Sequence, residues 1–143
     1  MWYNVFIGYM KKEKICRFIL AVIGIFLVGT GVAFNAAAAL GNDPVGIMYD
    51  GIRNALGLTG EQLGTASNIV NIILCVVVFF TGRHYVNIGT FIYIIPYGMI
   101  VDIGGRIYHL LFKVQTFPIQ ILGAVTGCLL LYTGVAMYIT ADI

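Results

Sequence analysis

Few side chains in this sequence could do chemistry, and they are scattered along it. Asp102 is the one acid set well inside an apolar run, after Pro96 and Gly98. A carboxylate at the centre of a bilayer costs about 2.5–3.5 kcal/mol on insertion scales, so an acid held there points to solute or ion binding. The competing role is a membrane-edge pair with Arg106, four residues on, should Gly104 and Gly105 end the helix. Asn68 and Asn71 lie one turn apart, and Asn35 sits near the end of another apolar run. Intramembrane amides coordinate a solute or, more often, hold helices together. Asn35, Asn68, Asn71 and Asp102 are therefore the candidate solute or ion site. His84 and His109 each stand alone, and Cys16, Cys75 and Cys128 show no C-x-x-C spacing, which leaves the thiols as buried apolar filler. No G-x-S-x-G, H-E-x-x-H, P-loop or paired-carboxylate pattern occurs. Neither a catalytic residue, a metal site nor a cofactor is expected, and the chain does not read as an enzyme.

The elements that must position these groups follow from composition. Of the 143 residues, 60% are hydrophobic and 10% charged, against about 45–50% and about 25% in a soluble domain. A net charge of +2 is too small to track a phosphate backbone, which removes nucleic acid as a partner. Eighteen glycines with three prolines suit membrane helices, where small residues let backbones approach. The fold class is an all-α membrane protein, one membrane domain over residues 1–143, with the lipid bilayer as its first partner.

A bilayer core of about 30 Å needs about 20 apolar helical residues. Four such runs are predicted, and each has boundary signals. The first goes from Ile15 to Leu40 behind Lys11, Lys12, Lys14 and Arg17. The second begins at Thr59, where Thr59 and Gln62 have capping-box spacing, and ends at Phe80 with Gly82 as the stop. The third starts at Ile88 and reaches at least Ile103, with a kink or break expected from Pro96 inside it and Gly104–Gly105 after it. The fourth runs from Pro118 to Ile143. Small residues at Asn35–Ala39 resemble a signal-peptidase site, but the apolar run is long and recurs later in the chain, so the first span is read as retained.

Between the first two spans lies a segment too short to cross. Asp43 is placed as its N-cap, Pro44 at its first position and Gly57 at its C-terminal cap. Val45, Met48, Ile52 and Leu56 share one helical face, with Asp50, Arg53 and Asn54 elsewhere. An amphipathic helix, interfacial or re-entrant, is predicted. Its cap and polar face, Asp43, Pro44 and Asp50, are read as a cap and a solvated surface before a solute contact. Its N-terminus would suit an anion.

Sliding the sequence by 103 residues lays Arg17–Leu40 over Gln120–Ile143 with nine of 24 positions identical. They include Gly24/Gly127 and the block Thr30–Ala33 over Thr133–Ala136, which contains Gly31/Gly134. The first copy would occupy residues 15–112 and a partial second copy residues 118–143. With three crossings from the start of one copy to the start of the next, the copies are oppositely oriented, an inverted repeat of the transporter kind. Gly31, Gly123, Gly127 and Gly134 are the expected helix-packing glycines, with Gly123-x-x-x-Gly127 used inside the bundle. The second copy stops where a further Gly-Asn-Asp-Pro-like segment would follow, which leaves truncation, a fragment, or assembly with a second half-unit or in a homo-oligomer. Positive charge favours a cytoplasmic N-terminus: Lys11, Lys12, Lys14, Arg17 and Arg83 fall inside, and Arg53, Arg106 and Lys113 outside.

The landmarks Gly31, Gly41-x-x-Pro44, Asp50-Gly51-Ile52, Gly57-Leu58-Thr59, Gly64-Thr65-Ala66-Ser67, Asn87-Ile88-Gly89-Thr90 and Pro96-Tyr97-Gly98-x-x-x-Asp102 resemble the YczE/YitT group of bacterial membrane proteins. The resemblance implies a polytopic inner (plasma) membrane protein with two related halves and no settled activity. The chain departs from that pattern in lacking the rest of the second half and the soluble C-terminal domain of some relatives. The leading expectation is a transporter-like protein that moves a small solute or ion where inverted copies meet. The alternatives are a non-transporting scaffold or partner-binding subunit, or a truncated fragment of a longer protein of that group.

Overall fold

A computed structural model describes residues 2–82, 88–114 and 116–141, with side chains described from residue 13 on, except at 61, 88–89 and 91–92. Arg83, His84 and Asn87, part of the charge and motif arguments, lie outside the described residues, as do the side chains of Lys11 and Lys12 and all of residues 142–143. Among the described residues five α-helices follow one another: α1 (Trp2–Ala38), α2 (Pro44–Ala55), α3 (Leu63–Thr81), α4 (Ile88–Leu111) and α5 (Phe117–Ala141), with a 3₁₀ turn at Gly60–Gln62 before α3. No strand occurs among them. Three of the described stretches are long and apolar enough to cross a membrane: Glu13–Ala38, Leu63–Thr81 and Phe117–Ala141. Their outer faces carry the apolar residues that a soluble protein would hide. Along α3, Ile72, Ile73, Val76, Val77 and Phe80 are all exposed, Phe80 by 82%.

The helix ends follow the local chemistry. Asp43 accepts the Val45 N–H at 3.3 Å with Pro44 at the first position. At the other end Leu58 N–H donates to Arg53 C=O and Gly57 N–H to Asn54 C=O, a Schellman closure in which Gly57 takes φ +64. The Thr59 N–H is taken by the Gln62 side chain at 3.0 Å, as the capping box requires. α3 ends at Thr81, with Gly82 as its C-cap.

α1 itself starts at Trp2, and its stretch of membrane-crossing length and hydropathy, Glu13–Ala38, agrees with the expected Ile15–Leu40. Two sequence expectations are corrected, at α4 and at the thiols. α4 does not break at Pro96, and it runs past Gly104–Gly105 to Leu111. Proline removes only its own N–H, and neighbouring side chains can satisfy the groups it loosens. Gly104 faces α1, where an added Cβ would stand 2.9 Å from the Ala33 Cβ, so it permits close approach and does not end the helix. The thiols are not buried filler: Cys16 and Cys128 are exposed and Cys75 is half-buried, all three free.

The apolar stripe of α2 faces away from the protein: Val45, Met48 and Leu56 are exposed, while Gly46 and Tyr49 are buried and Ile52, Asp50 and Arg53 are partly covered. The helix turns small and polar residues inward and apolar ones outward, the arrangement expected where the surrounding medium is lipid.

α1 packs along α5 and against α4, α4 against α3, and α3 against α2. One core cluster joins Ile25, Val28, Tyr49, Leu63, Val70, Tyr97 and Val101, and a second joins Phe34, Ala38 and Tyr108. The Phe34 and Tyr108 rings meet edge to face at 5.3 Å.

Candidate functional site

The candidate amides and the acid do not converge on one point. Asn71 lies between α2 and α3, where its Oδ1 accepts the Tyr49 hydroxyl at 3.1 Å. Burial raises the Tyr49 phenol above its ordinary pKa of 10.0, against the smaller opposing effect of that hydrogen bond, so the group stays a neutral donor. Asn68 and Asp102 lie together at the α3–α4 crossing. Asn68 accepts the Gly98 N–H at 3.1 Å, two residues past Pro96. Asp102 accepts the Gly64 N–H at 2.7 Å and so caps the first turn of α3 from a different helix. Gly64 and Gly98 bring the two backbones into contact; a Cβ on either would strike the other's carbonyl oxygen. Ser67, fully buried, donates to Gly64 C=O at 2.7 Å.

Asn35, 8% exposed, lies at the α1–α5 seam, where its Oδ1 accepts the Cys128 thiol at 3.7 Å. This seam is built from glycine. A Cβ on Gly31 would meet the Gly127 oxygen at 2.7 Å and the Leu131 nitrogen at 2.5 Å. One on Gly24 would meet the Gly134 oxygen at 2.9 Å and the Tyr138 nitrogen at 3.0 Å. Gly134 faces the Gly24 oxygen and the Val28 nitrogen, both 2.7 Å from its added Cβ, and Gly127 faces the Asn35 nitrogen at 3.0 Å. Low numbers on α1 meet high numbers on α5, so the two helices run antiparallel. Gly123 belongs to a neighbouring contact, with Tyr108 of α4, whose hydroxyl would lie 2.6 Å from an added Cβ.

The contacts come in exchanged pairs under the 103-residue offset. Gly24 meets Gly134 and Gly31 meets Gly127; Gly24 meets Tyr138 and Asn35 meets Gly127; Gly31 meets Leu131 and Val28 meets Gly134. In each pair, residues i and j + 103 are exchanged for j and i + 103.

A polar cavity of about 310 Å³ lies elsewhere, between the C-terminal half of α1, α2 and α4. Asp50 and Arg53 of α2 and Asp102, Gly105 and His109 of α4 line it. Arg53 pairs with Asp50 at 3.0 Å, and its longer contacts reach Gly60 C=O at 3.4 Å and Asn54 Oδ1 at 3.5 Å. Its Nε is shielded from solvent and has no hydrogen-bond partner. Arg53, Gly105 and His109 were not among the candidate residues. The available signal was spacing: Asp50 and Arg53 are i and i+3, while Asp102, Gly105 and His109 are i, i+3 and i+7, each set on one helical face. Asp43 and Pro44 serve as the α2 cap, and Asp50 faces the cavity. Among the described residues no group of three metal-ligating side chains occurs.

A family model described as a family of unknown function, DUF6198, matches residues 15–143. No curated protein and no solved structure matches the chain.

Proposed function

We propose that this chain, which belongs to the DUF6198 family of unknown function, is a transporter-like protein of the bacterial inner membrane that passes a small solute or ion. The observation that carries this is the set of exchanged contacts between α1 and α5. Two copies of one helix related by a two-fold axis must make contacts that exchange in this way, and an axis in the membrane plane turns one copy upside down. The contact pattern is the one that the sequence offset requires of an inverted pair, and together they support this reading.

Antiparallel packing also bears on α4. If α1, α3 and α5 all cross, α1 and α5 run in opposite directions only when α4 crosses too. At 24 residues α4 is about 36 Å long, enough for the purpose. Four crossings with α2 as a re-entrant helix follow, and inward-open and outward-open states related by the axis would have similar energy. With the N-terminus in the cytoplasm the cavity beside α2 faces outward. The YczE/YitT resemblance is consistent with this reading.

Impermeant maleimide tests the topology directly. In a background with Cys16, Cys75 and Cys128 replaced by Ser, Gly51→Cys and Thr140→Cys, both at exposed positions, should label from opposite sides of the membrane; labelling from one side breaks the inverted-pair argument. Solute uptake into proteoliposomes tests the activity. The second reading, a non-transporting scaffold, is favoured by the amides, since Asn35, Asn68 and Asn71 are all engaged between helices. Proteoliposomes that stay closed to every small cation, anion and zwitterion would decide for the scaffold.

A further inference from the structure

The cavity beside α2 is lined by charged groups of both signs. On α2, the Arg53 guanidinium faces the cavity with one close partner, Asp50 at 3.0 Å. A guanidinium is suited to an oxyanion, which it binds through paired N–H groups. Across the cavity, α4 presents the Asp102 carboxylate, one oxygen of which is held by the Gly64 N–H at 2.7 Å. Arg106, four residues on, acts electrostatically on Asp102. The lining itself thus carries charges of both signs, Arg53 against Asp50 and Asp102. A guest with an anionic and a cationic end can meet Arg53 and Asp102 at once, which a lone cation or anion cannot. About 310 Å³ corresponds to about ten waters at ~30 Å³ each, which bounds the guest to a small molecule.

We infer that this cavity is a binding site for a small zwitterion of the amino-acid type, its carboxylate on Arg53 and its ammonium on Asp102. The inference rests on the transporter reading for its purpose, but binding can be measured without transport. Gly105 lines the cavity and a Cβ there meets nothing within 4 Å. A larger side chain at that position fills the cavity and leaves the helix contacts alone.

The full chain in lipid nanodiscs is titrated with radiolabelled glycine, with acetate, methylammonium and tryptophan as competitors. Glycine should bind saturably, acetate and methylammonium at least tenfold more weakly, and tryptophan should be excluded by size. Gly105→Leu should abolish binding while the ligand-free protein melts no lower than the unsubstituted chain. Arg53→Gln and Asp102→Asn should each weaken glycine at least tenfold; the asparagine oxygen still accepts the Gly64 N–H, so folding is retained. Absence of saturable glycine binding, its survival in Gly105→Leu, or equal affinity for acetate or methylammonium overturns the assignment. Uptake of some solute that is indifferent to Gly105→Leu would sink the site and leave the transporter standing. Glycine binding in a protein that moves no solute would do the reverse.

Discussion

The α1–α5 seam and the α2–α4 cavity sit on the same helix α1 and are built on opposite principles. At the seam, backbone meets backbone through Gly24, Gly31, Gly127 and Gly134, leaving no room for a methyl group. Lipid tails are as apolar as leucine, so helices gain from close van der Waals contact and little from hydrophobicity. On the cavity side α3 meets α4 at one glycine crossing, Gly64 on Gly98, and side-chain hydrogen bonds supply the rest: Asp102 to Gly64, Asn68 to Gly98, Tyr49 to Asn71. The seam is close-packed glycine along its length, whereas α2 is tied to α3 through the Tyr49 hydroxyl.

Substitutions can break or sharpen that contrast. The largest effect is expected at the seam, where Gly31→Leu would force α1 off α5 and cost about 3 kcal/mol, the upper part of the usual overpacking range; thermal melting and size-exclusion profiles in detergent would register it. A protein unharmed by that change would remove the seam's claim to close packing. Asp102→Ala strips the cap from α3 and leaves the Gly64 N–H without its charged acceptor, for about 1.5–3 kcal/mol, and Asp102→Asn should recover much of the melting temperature. Asn68→Ala deletes one interhelical bond and should cost less, about 0.6–1.7 kcal/mol, the range found for such bonds in bilayers. Its readout is unfolding in mixed micelles, and a loss as large as that at Gly31 would erase the contrast. The smallest effect is at Ala39, which ends α1 at φ +55. Glycine is at ease in that conformation, so Ala39→Gly should raise stability by about 0.5–1 kcal/mol, seen as a higher melting temperature.

Much of the fold was legible because its signals are local. The Asp43–Pro44 start, the Gly57 closure and the Thr59–Gln62 box depend on residues within a few positions of one another, and all form. The length of α4 was not legible, because a glycine that ends a helix and one that lets another helix approach look the same in sequence. Which way the apolar stripe of α2 points was not legible, because such a stripe turns to a protein core in water and outward in lipid.

Composition and hydropathic length by themselves settled that these helices belong in a bilayer, since few charges and long apolar runs leave no other medium to solvate them. The nine identities under a 103-residue offset were also present in the chain as written. Only the tertiary structure decided that Gly24 meets Gly134 while Gly31 meets Gly127, that Asp102 caps a helix 38 residues away, and that Arg53 shares a cavity with His109. Contacts between distant positions depend on the crossing points and rotation of whole helices, and no short-range spacing encodes those.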